Sequence, residues 1–147
     1  MTRVVLDTNL VVSAILTPEG KPAAILKMVL DARLDLVLSP VLLEEISLVL
    51  NYDKIKKLFI KRSVTPEKIK DALRKIAATA IMVSGEAEVH NIDKDPSDTM
   101  LLSCALEGRA DFIVSGDHHL TDLVSFDGIS IVNPDTFLKL IERVTKA

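Results

Sequence analysis

The sequence predicts an α/β protein: a three-layer α/β/α sandwich around a mainly parallel sheet of about five strands, built as one domain over residues 1–147. Two observations carry this. Short β-branched runs alternate with segments of helical periodicity, the pattern of parallel strands covered on both faces. Helix starts are also marked: Ser39-Pro40, Thr65-Pro66, Asp95-Pro96 and Asn133-Pro134 each place a capping residue before a proline at the first helical position.

Taken in order, Arg3–Leu6 reads as a strand, and Asn9–Leu16 and Pro22–Leu34 as helices around the Pro18-Glu19-Gly20 break. Leu36–Leu38 is a second strand and Pro40–Leu50 a helix that can bury Val41, Leu42, Ile46, Val49 and Leu50. Two basic helices follow, at about Lys54–Phe59 and Pro66–Ala78, then a strand at Ile81–Val83. Pro96–Leu106 is a helix, Phe112–Val114 and Ile129–Val132 are strands, and Pro134–Val144 is a closing helix. His118 and His119 read as loop residues.

Composition narrows the classes. No apolar run reaches the roughly 18 residues of a membrane span. The start, Met1-Thr2-Arg3-Val4-Val5-Leu6-Asp7, resembles neither a signal peptide nor an anchor. The single cysteine, Cys104, has no partner for an internal disulfide and lies in an apolar helical pattern, so a packed thiol and a cytoplasmic setting are expected. The net charge is −3, but it is unevenly spread. Between Lys54 and Lys75 nine cations face only Glu67 and Asp71, a net +7 that leaves −10 on the rest of the chain. A basic stretch beside an acidic body suits a phosphate backbone and a hard cation respectively. There is no Gly-rich phosphate loop to indicate nucleotide binding.

In open parallel sheets, functional groups collect at the carboxyl ends of strands. Asp7-Thr8-Asn9 follows the first strand, Glu44 and Glu45 lie in the second turn of the helix after the second, and Ser115-Gly116-Asp117 follows the fourth. The helix before that fourth strand opens Asp95-Pro96-Ser97-Asp98. Each acid also has a plainer reading: Asp7 as a helix cap, Asp98 as a first-turn acid, Asp117 as a turn residue and Glu45 as a solvated helix residue. Together they describe an all-oxygen cluster suited to Mg2+ or Mn2+ rather than zinc. Such a site can neutralise a phosphodiester and activate water.

Val4-Val5-Leu6-Asp7-Thr8-Asn9, Leu38–Ile46 with its Glu44-Glu45 pair, Asp95–Leu102 and Ala110–Leu120 resemble, in this order, the motifs of the PIN-domain family, which includes the VapC-type toxin ribonucleases. The resemblance runs from about Arg3 to Leu138. It implies a metal-dependent ribonuclease in which Asp7, Glu45, Asp98 and Asp117 bind one or two Mg2+ or Mn2+ ions and carry catalysis. Asn9 and Ser115 would be polar supports, Asp95 the helix cap and Asp122 an accessory acid. Glu45 is chosen over Glu44 because it directly precedes the apolar Ile46. The reaction implied is hydrolysis by activated water without a covalent intermediate, leaving 5′-phosphate and 3′-hydroxyl ends. Partners implied are RNA, an antitoxin protein and a second copy in a homodimer or higher homo-oligomer. The basic stretch, with Lys56, Lys57, Arg74 and Lys75, is expected to clamp RNA. Two other readings are a non-catalytic RNA- or protein-binding scaffold of the same fold, and a haloacid-dehalogenase-like phosphatase. The latter family needs an acid two residues after its first aspartate, where Asn9 stands here.

Overall fold

Val4, Val5, Leu36, Val37, Ile113 and Val114 are all at most 1% exposed. They are the middle of a sheet apolar on both faces, as an interior parallel strand must be. The computed structural model describes residues 1–89 and 96–146. Its elements run β1 (Arg3–Leu6), α1 (Thr8–Leu16), α2 (Lys21–Leu30), β2 (Asp35–Leu38), α3 (Pro40–Leu50), α4 (Asp53–Lys61), α5 (Pro66–Thr79) and β3 (Ile81–Met82). They continue with α6 (Pro96–Glu107), β4 (Phe112–Val114), α7 (His118–Thr121), β5 (Ser125–Phe126), β6 (Ile129–Val132) and α8 (Pro134–Lys146).

The strand order is β3-β2-β1-β4-β6-β5. Every pairing is parallel except the β5–β6 hairpin. Val4 stands between Leu36 and Phe112, and Ile113 between Val5 and Ile131. From β1 the chain first steps outward to β2 and β3, then returns through α6 to β4 and continues to β6. Right-handed crossovers therefore send α1 to α5 to one face and α6 to the other. The contacts agree: α1 packs on α2 and α3, α2 on α5 and α8, while α6 lies on β1, β2 and β4. These are the three expected layers.

The proline-marked starts behave as their chemistry requires. Ser39 accepts from the Leu42 amide at 3.3 Å, Thr65 from Lys68 at 3.2 Å and Asn133 from Thr136 at 2.8 Å. Asp95, the fourth such residue, lies outside the described residues. Cys104 is buried, and burial pushes its thiol pKa up to about 12, as expected of an inert core thiol.

Helix ends were harder to read. α2 stops at Leu30, short of the expected Leu34. The Ala32 amide bonds to Val29 and that of Arg33 to Met28, the paired bonds of a Schellman stop, with Ala32 at φ 61°. The same device closes α4 at Ser63 and α6 at Arg109, both also at positive φ. Glycine usually fills this position, and its absence removed the stop signal. At α6 the neighbouring Gly108 serves another purpose: a Cβ there would sit 2.2 Å from Val37 Cγ1, so only glycine lets this helix end approach β2. Glu107 beside it accepts from the Ser84 hydroxyl and from the amides of Ser84 and Gly85, tying the chain after β3 to α6. Those bonds hold its carboxyl below the usual range.

Two elements were not expected. His118 and His119 open the single-turn α7 rather than lying in a loop; Leu120 and Thr121 amides close back on the Asp117 carbonyl. The sixth strand, β5, has two residues and joins β6 through Asp127-Gly128, both at positive φ. Asp-Gly is a strong two-residue hairpin signal; its strand is too short to show alternation.

Urea denaturation tests both helix-end arguments. Gly108→Ala should cost about 1–3 kcal/mol through overpacking on Val37. Ala32→Gly should stabilise by about 0.5–1 kcal/mol, as relief of left-handed strain outweighs the added unfolded-state entropy.

Candidate active site

Asp7 is held from two sides before its side chain does anything. Its amide donates to the Val114 carbonyl at 3.1 Å, continuing the β1–β4 ladder, and its carbonyl accepts from Leu10 and Val11, opening α1. It occupies the cap position, and its side chain's contact with the Asn9 amide falls short of a full capping hydrogen bond. The carboxylate turns instead to β4, where Oδ2 accepts from the Ser115 hydroxyl at 2.7 Å. Ser115 is fully buried, its amide bonded to Val132 of β6. Its Oγ accepts from the Asp117 amide at 3.0 Å. A hydroxyl has one proton to give. Here it goes to Asp7, while a lone pair fixes the backbone that presents Asp117.

Glu45 enters from α3. Thr8, the first residue of α1, is 5% exposed and donates its hydroxyl to Glu45 Oε2 at 2.7 Å. Glu45 is half-buried and Glu44 exposed, so the rotation of α3 presents Glu45 to the end of β1. Asp98 stands in the first turn of α6 and is 7% exposed. Asp122 is exposed, just beyond α7.

Burial is the main reason that the Asp7 carboxyl is pushed above the usual aspartate range. The Ser115 hydroxyl and the Asn9 amide favour its charge, and the negative charges of Asp117 and Glu45 oppose it. Glu45 and Asp117 are thus both within electrostatic reach of Asp7, at the point where the chain direction reverses between β1 and β4. The cleft at Asp7 and Asp117 has a volume of about 420 Å³ and is also lined by Asn9, Ser13 and Gly116. None of Lys56, Lys57, Arg74 and Lys75 lines it. Arg74 and Lys75 pair with Asp71 on their own helix, at 4.0 and 3.2 Å, and Lys56 lines a separate groove.

Among the described residues, no three His, Cys, Asp or Glu side chains form a ready cation cage. The fit to a cation rests on donor chemistry: oxygen ligands of one sign, one of them a buried carboxyl whose charged form needs compensation. Two contributors were missed in the sequence. Thr8 was passed over between Asp7 and Asn9. Ser13 lies one turn after Asn9 on an otherwise apolar helix, and that polar pair at i, i+4 was the available signal.

Residues 3–119 match the PIN domain family. The chain belongs to that family. This sets aside the dehalogenase-like reading. The uncharacterized protein MJ1680 of Methanocaldococcus jannaschii is 26% identical over 121 residues, 82% of this chain and 74% of that protein. Among solved structures, VapBC2 from Rickettsia felis, bound to a DNA fragment from its promoter, shares the fold with a TM-score of 0.58. The match covers 90% of this chain and 98% of that one at 14% identity. Among the described residues of this PIN domain, no helix is long and apolar enough to cross a membrane.

The raised proton affinity of Asp7, set mainly by its burial, has a measurable consequence. Because Asp7 binds its proton more tightly when folded, ionising it costs stability, increasingly as pH climbs from the ordinary aspartate pKa through the raised folded value. In EDTA at neutral pH, Asp7→Asn should therefore melt above wild type, with the gap closing in acid and on adding Mg2+ to both. A wild type more stable than the variant under those conditions would refute the assignment.

Proposed function

We propose that this PIN domain is a metal-dependent ribonuclease, with Asp7, Glu45, Asp98 and Asp117 as the carboxylates that hold Mg2+ or Mn2+. The observation that carries the reading is the convergence of Asp7 and Asp117 on one cleft at the switch point, joined through the buried Ser115, with Glu45 tied to the first turn of α1 through Thr8. When bound, the cation would supply charge neutralisation for the phosphodiester and a more acidic water as nucleophile. The chain's own residues do the rest. Thr8 orients Glu45 by donating its hydroxyl to Oε2. Ser115 keeps Asp7 and Asp117 in a fixed relation, so neither must reorganise on binding. Asn9 and Ser13 line the cleft and offer neutral donors to phosphate or ribose oxygens.

The fold shared with VapBC2 supports assignment as the toxin of a toxin–antitoxin pair, which we extend to a homodimer acting in the cytoplasm. A non-catalytic scaffold is the second reading, favoured by the lack of a preformed cage among the described residues.

Cleavage of labelled single-stranded RNA, with single-stranded DNA beside it, separates the two. We expect cutting with Mn2+ or Mg2+, none in EDTA, and none by Asp98→Asn or Asp117→Asn at unchanged thermal stability. Equal cutting by wild type and variants would point to a contaminant, and absence of cutting to the scaffold.

Thr8 tests the positioning argument. Thr8→Val removes the hydroxyl at nearly constant volume and should lower the cleavage rate about 10–100-fold, with a higher Mg2+ requirement. Thr8→Ser should restore most of the rate. Unchanged metal dependence in the valine variant would leave Thr8 as packing only.

A further inference from the structure

A second concavity, of about 400 Å³, lies between α3, α4 and α5 and shares no lining residue with the acidic cleft. Leu50, Phe59, Val64, Ile69 and Leu73 give it an apolar lining. Lys56 and Lys70 line it as well, both exposed, and no carboxylate does. Ile60, also in the lining, is 76% exposed. Leu48 and Tyr52, beside the lining residues Ser47 and Asn51, are 56% and 57% exposed. Apolar surface gathered in this way, with a charged rim, marks an interaction site.

We propose that this groove is the docking site for an acidic amphipathic helix of a partner protein. A helix with apolar anchors at i, i+3, i+4 and i+7 and Asp or Glu on its flanks matches both properties at once. The aliphatic lining takes the anchors, and Lys56 and Lys70, within the +7 stretch, face the acids. RNA fits less well. Single-stranded nucleic acid is gripped by aromatic faces and phosphate contacts. The groove's own ring, Phe59, is 2% exposed and offers no face to a base, and the exposed Tyr52 stands outside the lining. A two-fold dimer across this groove fits less well too, because it would set the Lys54–Lys75 stretch of net +7 against its own copy. Asp71 of that stretch is engaged by Lys75 and Arg74, and does not oppose the lysines of the groove. The proposal stands whether or not the acidic cleft is catalytic.

The test uses the full chain and fluorescence polarisation. One probe is a labelled helical peptide with Leu at i, i+3, i+4 and i+7 and Glu at the flanking positions. A second carries Lys in place of each Glu, and a third is a labelled single-stranded RNA. The acidic peptide should bind, weaken with salt, and lose about tenfold or more in affinity in Ile60→Glu and in Lys56→Glu/Lys70→Glu. These side chains are exposed, so the variants should keep the wild-type melting temperature. The lysine peptide, which needs no variant, should bind at least about tenfold more weakly. Absence of acidic-peptide binding, equal binding of both peptides, or equal binding to wild type and variants would overturn the proposal. So would RNA binding that falls in the same variants while the acidic peptide stays unbound, which would make the groove part of a nucleic-acid surface.

Discussion

The parallel pairing of β1 with β4 is the constraint on which the remainder turns. These strands are far apart in sequence and adjacent in the sheet, because the chain reverses its direction of travel between them. Crossovers on either side of the reversal leave on opposite faces, so the strand ends between them stay uncovered. The Asp7 amide bonds to Val114 across this gap, and one residue later Ser115 bonds to Val132. The backbone at Asp7 and Ser115 is therefore a continuation of the sheet's own ladder. The buried Ser115 hydroxyl extends that ladder into side-chain geometry by joining the Asp7 carboxylate to the Asp117 amide.

Such an arrangement is costly in isolation. A half-dry carboxylate facing two others is a destabilising element, and its raised affinity for protons is the sign of it. Folding tolerates this because the surrounding core is large: β1, β2 and β4 supply residues with almost no exposure, and Leu101, Leu102, Cys104 and Ala105 of α6 cover them. Each such aliphatic side chain contributes about 1.5–3 kcal/mol on burial. The sheet's stability holds a half-buried carboxylate near two like charges, and under the proposed function a bound cation would offset both costs.

The two signs of charge are spatially sorted. Acids gather at the strand ends, whereas the cations concentrate on the α4–α5 hairpin inserted between β2 and β3. This hairpin shares none of the cleft's lining. Its amphipathic helices bury little beyond Phe59 and Ile76 and leave Ile60 in water. An appendage of this kind can change its partner without disturbing the sheet or the acids.

What the sequence determined by itself was local. A capping side chain followed by proline opens a helix through contacts within one turn, and Ser39, Thr65 and Asn133 do so. A run of β-branched residues too short for a helix forms a strand, and alternation of the two implies parallel pairing. The positions of the acids at strand ends followed from that topology. Tertiary structure decided whatever depends on atoms distant along the chain. Ala32, Ser63 and Arg109 take the left-handed helix stop against their own preference, with the paired hydrogen bonds that close each helix. Gly108 is needed because Val37, brought by another strand, leaves no room for a Cβ. The Asp7 carboxylate turns to Ser115, which lies 108 residues away, and the Thr8 hydroxyl bonds to Glu45 of another helix. A cap or a turn is settled by neighbours on one stretch of backbone; the direction of a carboxylate is settled by whichever buried hydroxyl the fold sets beside it.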